Sequence, residues 1–158
     1  MSHSPEFQEY LLEVEKHIAG VIGQFCGKEH QSLIYSGFFT KKPVQECAEW
    51  LIRAFRIAAL NDTLRQTFSG GLVVKSAGVE ALDGEVMQMV LHKVSSYDEF
   101  TGLNNEDGEH RFGMFDCKDD KFAWQIDYLN PDFDGESQDP TDPEQTCRVL
   151  SIMLLSER

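Results

Sequence analysis

The spacing of apolar residues divides the chain into helical and extended stretches. Near the start, Phe7, Tyr10, Leu11, Val14, Ile18, Val21, Ile22 and Phe25 recur three and four apart, which puts them on one stripe of a helix. Ser4 suits its N-cap, Pro5 its first turn and Gly27 its stop. A second helical pattern starts near Pro43, turns Leu51, Ala54, Phe55 and Ala58 inward, continues through residues 60–64 and ends at Gly70-Gly71. Leu72, Val73 and Val74 read as a short strand. Asp83 caps a third helix whose inward positions are Val86, Met89, Val90, Val94 and Tyr97.

Beyond Tyr97 the period changes. Residues 111–117 and 121–128 form two strands joined by a tight turn. In the second of them Phe122, Trp124, Ile126 and Tyr128 alternate with Lys121, Ala123, Gln125 and Asp127. Residues 130–145 carry Pro and Asp without periodicity and read as a loop. Residues 147–155 are apolar on both faces, as a central strand would be. This order predicts an α+β fold: two N-terminal helices, then an antiparallel sheet of about four strands with a third helix packed on one face. Residues 1–56 read as a helical extension and 57–158 as the α+β domain.

Composition supports a packed core, with 41% hydrophobic residues and eleven Phe in 158 residues. The longest apolar run, 149–155, falls well short of the ~20 residues that span a bilayer. The N-terminus shows no signal-peptide pattern. Cys26, Cys47, Cys117 and Cys147 are widely spaced and form no C-x-x-C pair, which predicts reduced thiols and a cytoplasmic location.

Charge changes the picture more. The net value is −13, and residues 97–145 hold fifteen acidic residues against three basic ones. Such a surface disfavours nucleic acid and anionic membranes as direct partners and favours a basic protein surface or a cation.

Four stretches carry a resemblance. They are Leu60-Asn61-Asp62-Thr63-Leu64-Arg65 with Gly70-Gly71; Phe100-Thr101 leading into Gly108-Glu109-His110 and Phe112-Gly113; Trp124-Gln125-Ile126-Asp127-Tyr128; and Asp139-Pro140, Asp142-Pro143 with Arg148-Val149-Leu150-Ser151-Ile152-Met153-Leu154. In order and spacing they resemble, over about residues 57–157, the bacterial domain-of-unknown-function 3768 family. The chain departs from that family's pattern in having Asn105-Glu106-Asp107 before Gly108 and a basic residue at Arg111. The resemblance implies a protein of bacterial chromosomes, plasmids and integrating elements, and implies no particular reaction.

Two functional expectations follow. In the first, the acidic stretch occupies a nucleic-acid-binding groove on another protein, because a basic groove sees the carboxylates as a phosphate-like array. The chain is then a mobile-element accessory protein that binds and inhibits a basic, nucleic-acid-handling host protein, such as a CRISPR or restriction complex. Glu106, Asp107, Asp119, Asp120, Asp132, Asp134, Glu136, Asp139 and Asp142 would form the binding face. In the alternative, Glu109, His110, Asp127 and Arg148 build the site of a small enzyme or ligand-binding domain. Asp62 is placed to pair with Arg65 one helical turn on, and Asp127 to meet Arg148 across the sheet. Asp132-Phe133-Asp134-Gly135-Glu136 lacks the ligand spacing of an EF-hand, so neither metal nor cofactor is expected. The first helix stripe, if left uncovered, predicts a homodimer or a target interface.

Overall fold

The computed structural model describes residues 44–158. The expected first helix, with its dimer stripe, lies outside the described residues. Helix α1 (Val44–Thr67) runs unbroken through positions 56 and 57. It is followed by strand β1 (Leu72–Lys75), a short helix α2 (Ala77–Glu80), helix α3 (Gly84–Ser95) and strands β2 (Phe112–Cys117), β3 (Asp120–Leu129) and β4 (Cys147–Leu154), with a closing 3-10 turn at Leu155–Glu157.

The four strands form one sheet in the order β1-β4-β3-β2. β3 pairs antiparallel with both β2 and β4, as the alternation predicts. The expectation of an all-antiparallel sheet fails at one place. β1 lies parallel to β4, with Leu72 opposite Val149 and Lys75 opposite Ile152, so the sheet is mixed. The chain leaves β1, crosses one face through α2 and α3, and enters β2 at the far edge. Two antiparallel turns then bring β4 back beside β1 pointing the same way. Parallel neighbours need a long crossover, and α3 is part of it.

The core sits between the helices and one sheet face. Leu64 of α1, Val79 of α2 and Val86, Val90 and Val94 of α3 pack with Tyr97 and Phe100 against Phe122, Trp124, Ile126, Leu150 and Ile152. Asp83 caps α3 as expected, accepting from the backbone N–H groups of Glu85 and Val86. Met89, expected inside, is exposed, because the buried stripe is flanked by Met87 and Leu91 instead. Cys117 and Cys147 are free thiols. Among the described residues no helix is long and apolar enough to cross a membrane.

Gly113 shows how tightly the sheet face is filled. It stands opposite Trp124 in the β2–β3 ladder. A Cβ there would lie 2.5 Å from the indole Nε1 and 2.7 Å from the Tyr97 ring. Gly113→Ala should therefore cost about 1–3 kcal/mol by overpacking, read as a lower urea midpoint with the slope unchanged.

Candidate functional site

The polar centre of the molecule is built on the last turns of α1. Asn61 and Arg65 fall on the helix stripe that faces the sheet, and both are buried. The Asn61 amide nitrogen donates to the Glu109 carbonyl at 2.8 Å and to the Tyr128 hydroxyl oxygen at 2.7 Å. Its carbonyl oxygen accepts from Arg148 Nε at 3.0 Å. Tyr128 in turn donates its hydroxyl proton to the Glu109 carboxylate at 2.8 Å, and Arg148 donates to the Pro140 carbonyl. One side chain thus ties together the helix, the 105–111 loop, β3 and β4.

One residue along, Asp62 bridges Arg65 and His110, each at 2.9 Å. His110 stacks on Phe100 with ring centroids 3.9 Å apart. Neighbours on an extended strand point to opposite sides, so Glu109 and His110 could not both face α1 from a regular β-segment. A left-handed backbone at His110 (φ 53°) makes the necessary turn. Asn105 holds that turn by accepting from the His110 N–H, and Asp107 does the same for the Glu109 N–H. Burial works against the Asp62 carboxylate, but the hydrogen bond and charge of His110, with those of Arg65, outweigh it and hold Asp62 below the ordinary range.

Between this network and the 130–146 loop lies a half-open cleft of about 410 Å³, lined by Arg53, Glu109, Arg111, Asp127, Tyr128 and Glu136 among others. Arg111 lies over the Tyr128 ring at 4.9 Å and Arg148 lies over the same ring at 5.5 Å. Burial raises the Glu109 pKa, partly opposed by the Tyr128 hydrogen bond and increased by nearby Asp107. Burial likewise pushes the Tyr128 phenol far up, so it stays a proton donor to Glu109.

The sign of the Glu109 shift gives a prediction. Its folded pKa lies above the unfolded value near 4.5, so the ionised carboxylate weakens the fold increasingly as pH rises through that window. Glu109→Gln keeps an acceptor for Tyr128 and removes the charge. It should melt higher than the parent at pH 7, and the advantage should shrink as pH falls toward 4.5. A lower melting temperature at pH 7 would show that the ionised form is favourably held.

The four residues expected to form an enzyme-like site are only partly brought together. Glu109 and Asp127 line the cleft. His110 faces Asp62. Arg148 is buried against Asn61, and its expected pairing with Asp127 does not occur. Tyr128, not Asp127, stands opposite Arg148, and Asp127, one residue back along the strand, is approached by Arg111 at 3.9 Å. The expected Asp62–Arg65 pair is present. Among the described residues no group of three or more His, Cys, Asp and Glu is placed to hold a metal ion.

The acidic residues divide by position. Asp119 and Asp120 sit at the β2–β3 hairpin, the opposite end of β3 from the cleft. Ten residues of strand put the two ends roughly 30 Å apart. Glu106 and Asp107 precede the cleft wall, while Asp132, Asp134, Glu136, Asp139 and Asp142 belong to the loop beside it. Several of these carboxylates hold the loop together. Asp139 pairs with Arg53 at 2.9 Å and accepts from Thr141, Asp142 accepts from Gln145, and Asp134 accepts from Asn130. Glu106, Asp132 and Glu136 are exposed. Asn61, the centre of the network, lies in the first of the stretches that carry the resemblance, and a polar residue on a buried helix stripe is the signal that marks it.

Fold and site together define an α+β domain with a polar cleft at one end of a mixed sheet. The model of the protein family of unknown function DUF3768 matches residues 75–157, over half of the chain, and the chain belongs to that family. The match includes the cleft loop and β2 to β4 but begins after Asn61, Asp62 and Arg65. No curated protein and no solved structure matches the chain.

Proposed function

We propose that this protein is an acidic accessory protein that binds and inhibits a basic, nucleic-acid-handling host protein, of the kind found in restriction or CRISPR complexes. The observation that carries the reading is the construction of the 130–146 loop. Its hydrogen bonds run Asn130 to Asp134, Ser137 to Thr146, Asp139 to Thr141 and Asp142 to Gln145, and Leu129 bridges Glu136. A loop fastened in this way presents Asp132 and Glu136 at set positions, which lowers the ordering cost of docking on a basic surface. Exposed charge of this kind acts mainly on the rate of association.

The test uses exposed acids whose side chains make no hydrogen bond or ion pair among the described residues. Glu106→Lys, Asp132→Lys and Glu136→Lys are combined, and association with a partner captured from host lysate is followed at several salt concentrations. The triple variant should keep its melting temperature and associate at least about tenfold more slowly. Nucleic acid should compete with the wild type for the partner. Full association by the variant, or a partner that holds nucleic acid and this protein at once, would sink the reading. A specific observation also favours a second one, a ligand-binding domain: the cleft is concave and lined by Glu109 and Asp127.

A further inference from the structure

The charges lining the cleft are not balanced. Arg53 is engaged by Asp139 and Arg111 by Asp127. Glu109 and Glu136 line the same cleft and form no ion pair among the described residues. Glu109 is held in place at one oxygen by Tyr128, while Asn61 fixes the backbone of the same residue. Its second oxygen accepts no hydrogen bond from the described residues. A half-buried carboxylate aimed by a neutral donor, with no cation in ion-pair contact, has a place for one, and a cation supplied from outside would fill it. Arg53 and Arg111 act on Glu109 by charge at longer range, but each is in ion-pair contact with another carboxylate, Asp139 and Asp127.

We infer that the cleft receives a single basic side chain, arginine or lysine, of a protein partner, with Glu109 as its principal acceptor and Glu136 at the mouth. This rests on the reading of the protein as a binder of basic surfaces and says where one such contact is made. The volume of about 410 Å³ has room for an extended side chain and its retained water. The half-open shape admits a residue projecting from a folded surface. Binding draws on the ionised form of Glu109, whose burial raises its pKa, so affinity is lost as pH falls through that raised value.

The experiment titrates the full chain with a blocked Gly-Arg-Gly tripeptide at low salt and follows backbone amide shifts. Saturable shifts at residues 109–111, 127–129 and 136–138 are expected, weakened about tenfold or more by Glu109→Gln, since a hydrogen bond to a charged group is at stake. The peptide with citrulline in place of arginine, neutral and of the same shape, should not saturate. Absence of cleft shifts, equal binding by the citrulline peptide, or stronger binding by a Glu-containing peptide would each overturn the inference. Spermidine binding where the peptide does not would overturn the protein source and leave a small-molecule cation site. Melting of Glu109→Gln at the same pH reports its folding separately. If the peptide fails while the three-Lys variant still loses its partner, only the cleft assignment falls. If the peptide binds through Glu109 while that variant keeps its partner, the inhibitor reading falls instead.

Discussion

Asn61→Leu is expected to remove about 3–5 kcal/mol of folding stability, because it strands the buried Arg148 guanidinium without its side-chain acceptor. The same change takes the donors from the Glu109 carbonyl and the Tyr128 hydroxyl, so the 105–111 loop loses its tie to α1. Leucine is close to asparagine in size, so the loss reflects polarity rather than a cavity. Urea unfolding measures it. A second variant separates the stranded charge from the lost ties. In Asn61→Leu with Arg148→Met no guanidinium remains to be buried unpaired, so the double variant should be less destabilised than the sum of the two single ones. Additive losses would mean that Asn61 and Arg148 act independently, contrary to the 3.0 Å bond between them.

Much of the scaffold was legible because it is written in local periods. The α3 cap, the β2–β3 hairpin and the central place of β4 all follow from short-range rules of spacing and turn chemistry. β4 is flanked by β1 and β3 as its apolar character required. The parallel pairing of β1 was not legible, since a four-residue strand shows no direction and its partner lies more than seventy residues away. Helix α2 is too short for any period, and only its cap, Ser76, carries a local signal.

The site was harder to read, for a geometric reason. Asp127 and Arg148 are both polar residues on facing strands, yet a single step of register decides whether they share a face, and here they do not. The buried network was within reach. Ala54, Ala58, Asn61 and Arg65 continue one helical stripe, so two polar residues stand where apolar ones would be expected. A buried polar residue needs partners, and those partners turned out to be the loop and strands that build the cleft. The concentration of acid between residues 97 and 145 was visible at once, but its division between a hairpin tip and a cleft rim is a property of the fold.

Arg65→Met should be comparably costly, about 3–5 kcal/mol, and for reasons that distinguish shape from charge. Arg65 is 2% exposed. One terminal nitrogen donates to the carbonyls of Val94 and Ser95 at 2.7 and 3.0 Å, closing the C-terminal end of α3. The other donates to Asp62 at 2.9 Å, and the guanidinium lies 5.6 Å from the Phe100 ring centre and 5.4 Å from that of Trp124. Methionine fills the aliphatic space but leaves two helix-end carbonyls without this donor and Asp62 with only His110. The helix end carries partial negative charge, so the loss is electrostatic as well as a loss of hydrogen bonds. Arg65→Lys keeps the charge, yet an ammonium is a point donor and cannot reach the α3 carbonyls and Asp62 together as a planar fork does. It should recover only part of the stability. The parent's Asp62 contribution is present above pH 3.8 and lost as pH falls below it, so the gap between parent and Arg65→Met should narrow in acid. Urea midpoints at neutral and acid pH read both effects. Full rescue by lysine would show that Arg65 acts as a charge alone, and a gap that does not change with pH would show that its bond to Asp62 contributes nothing to the fold.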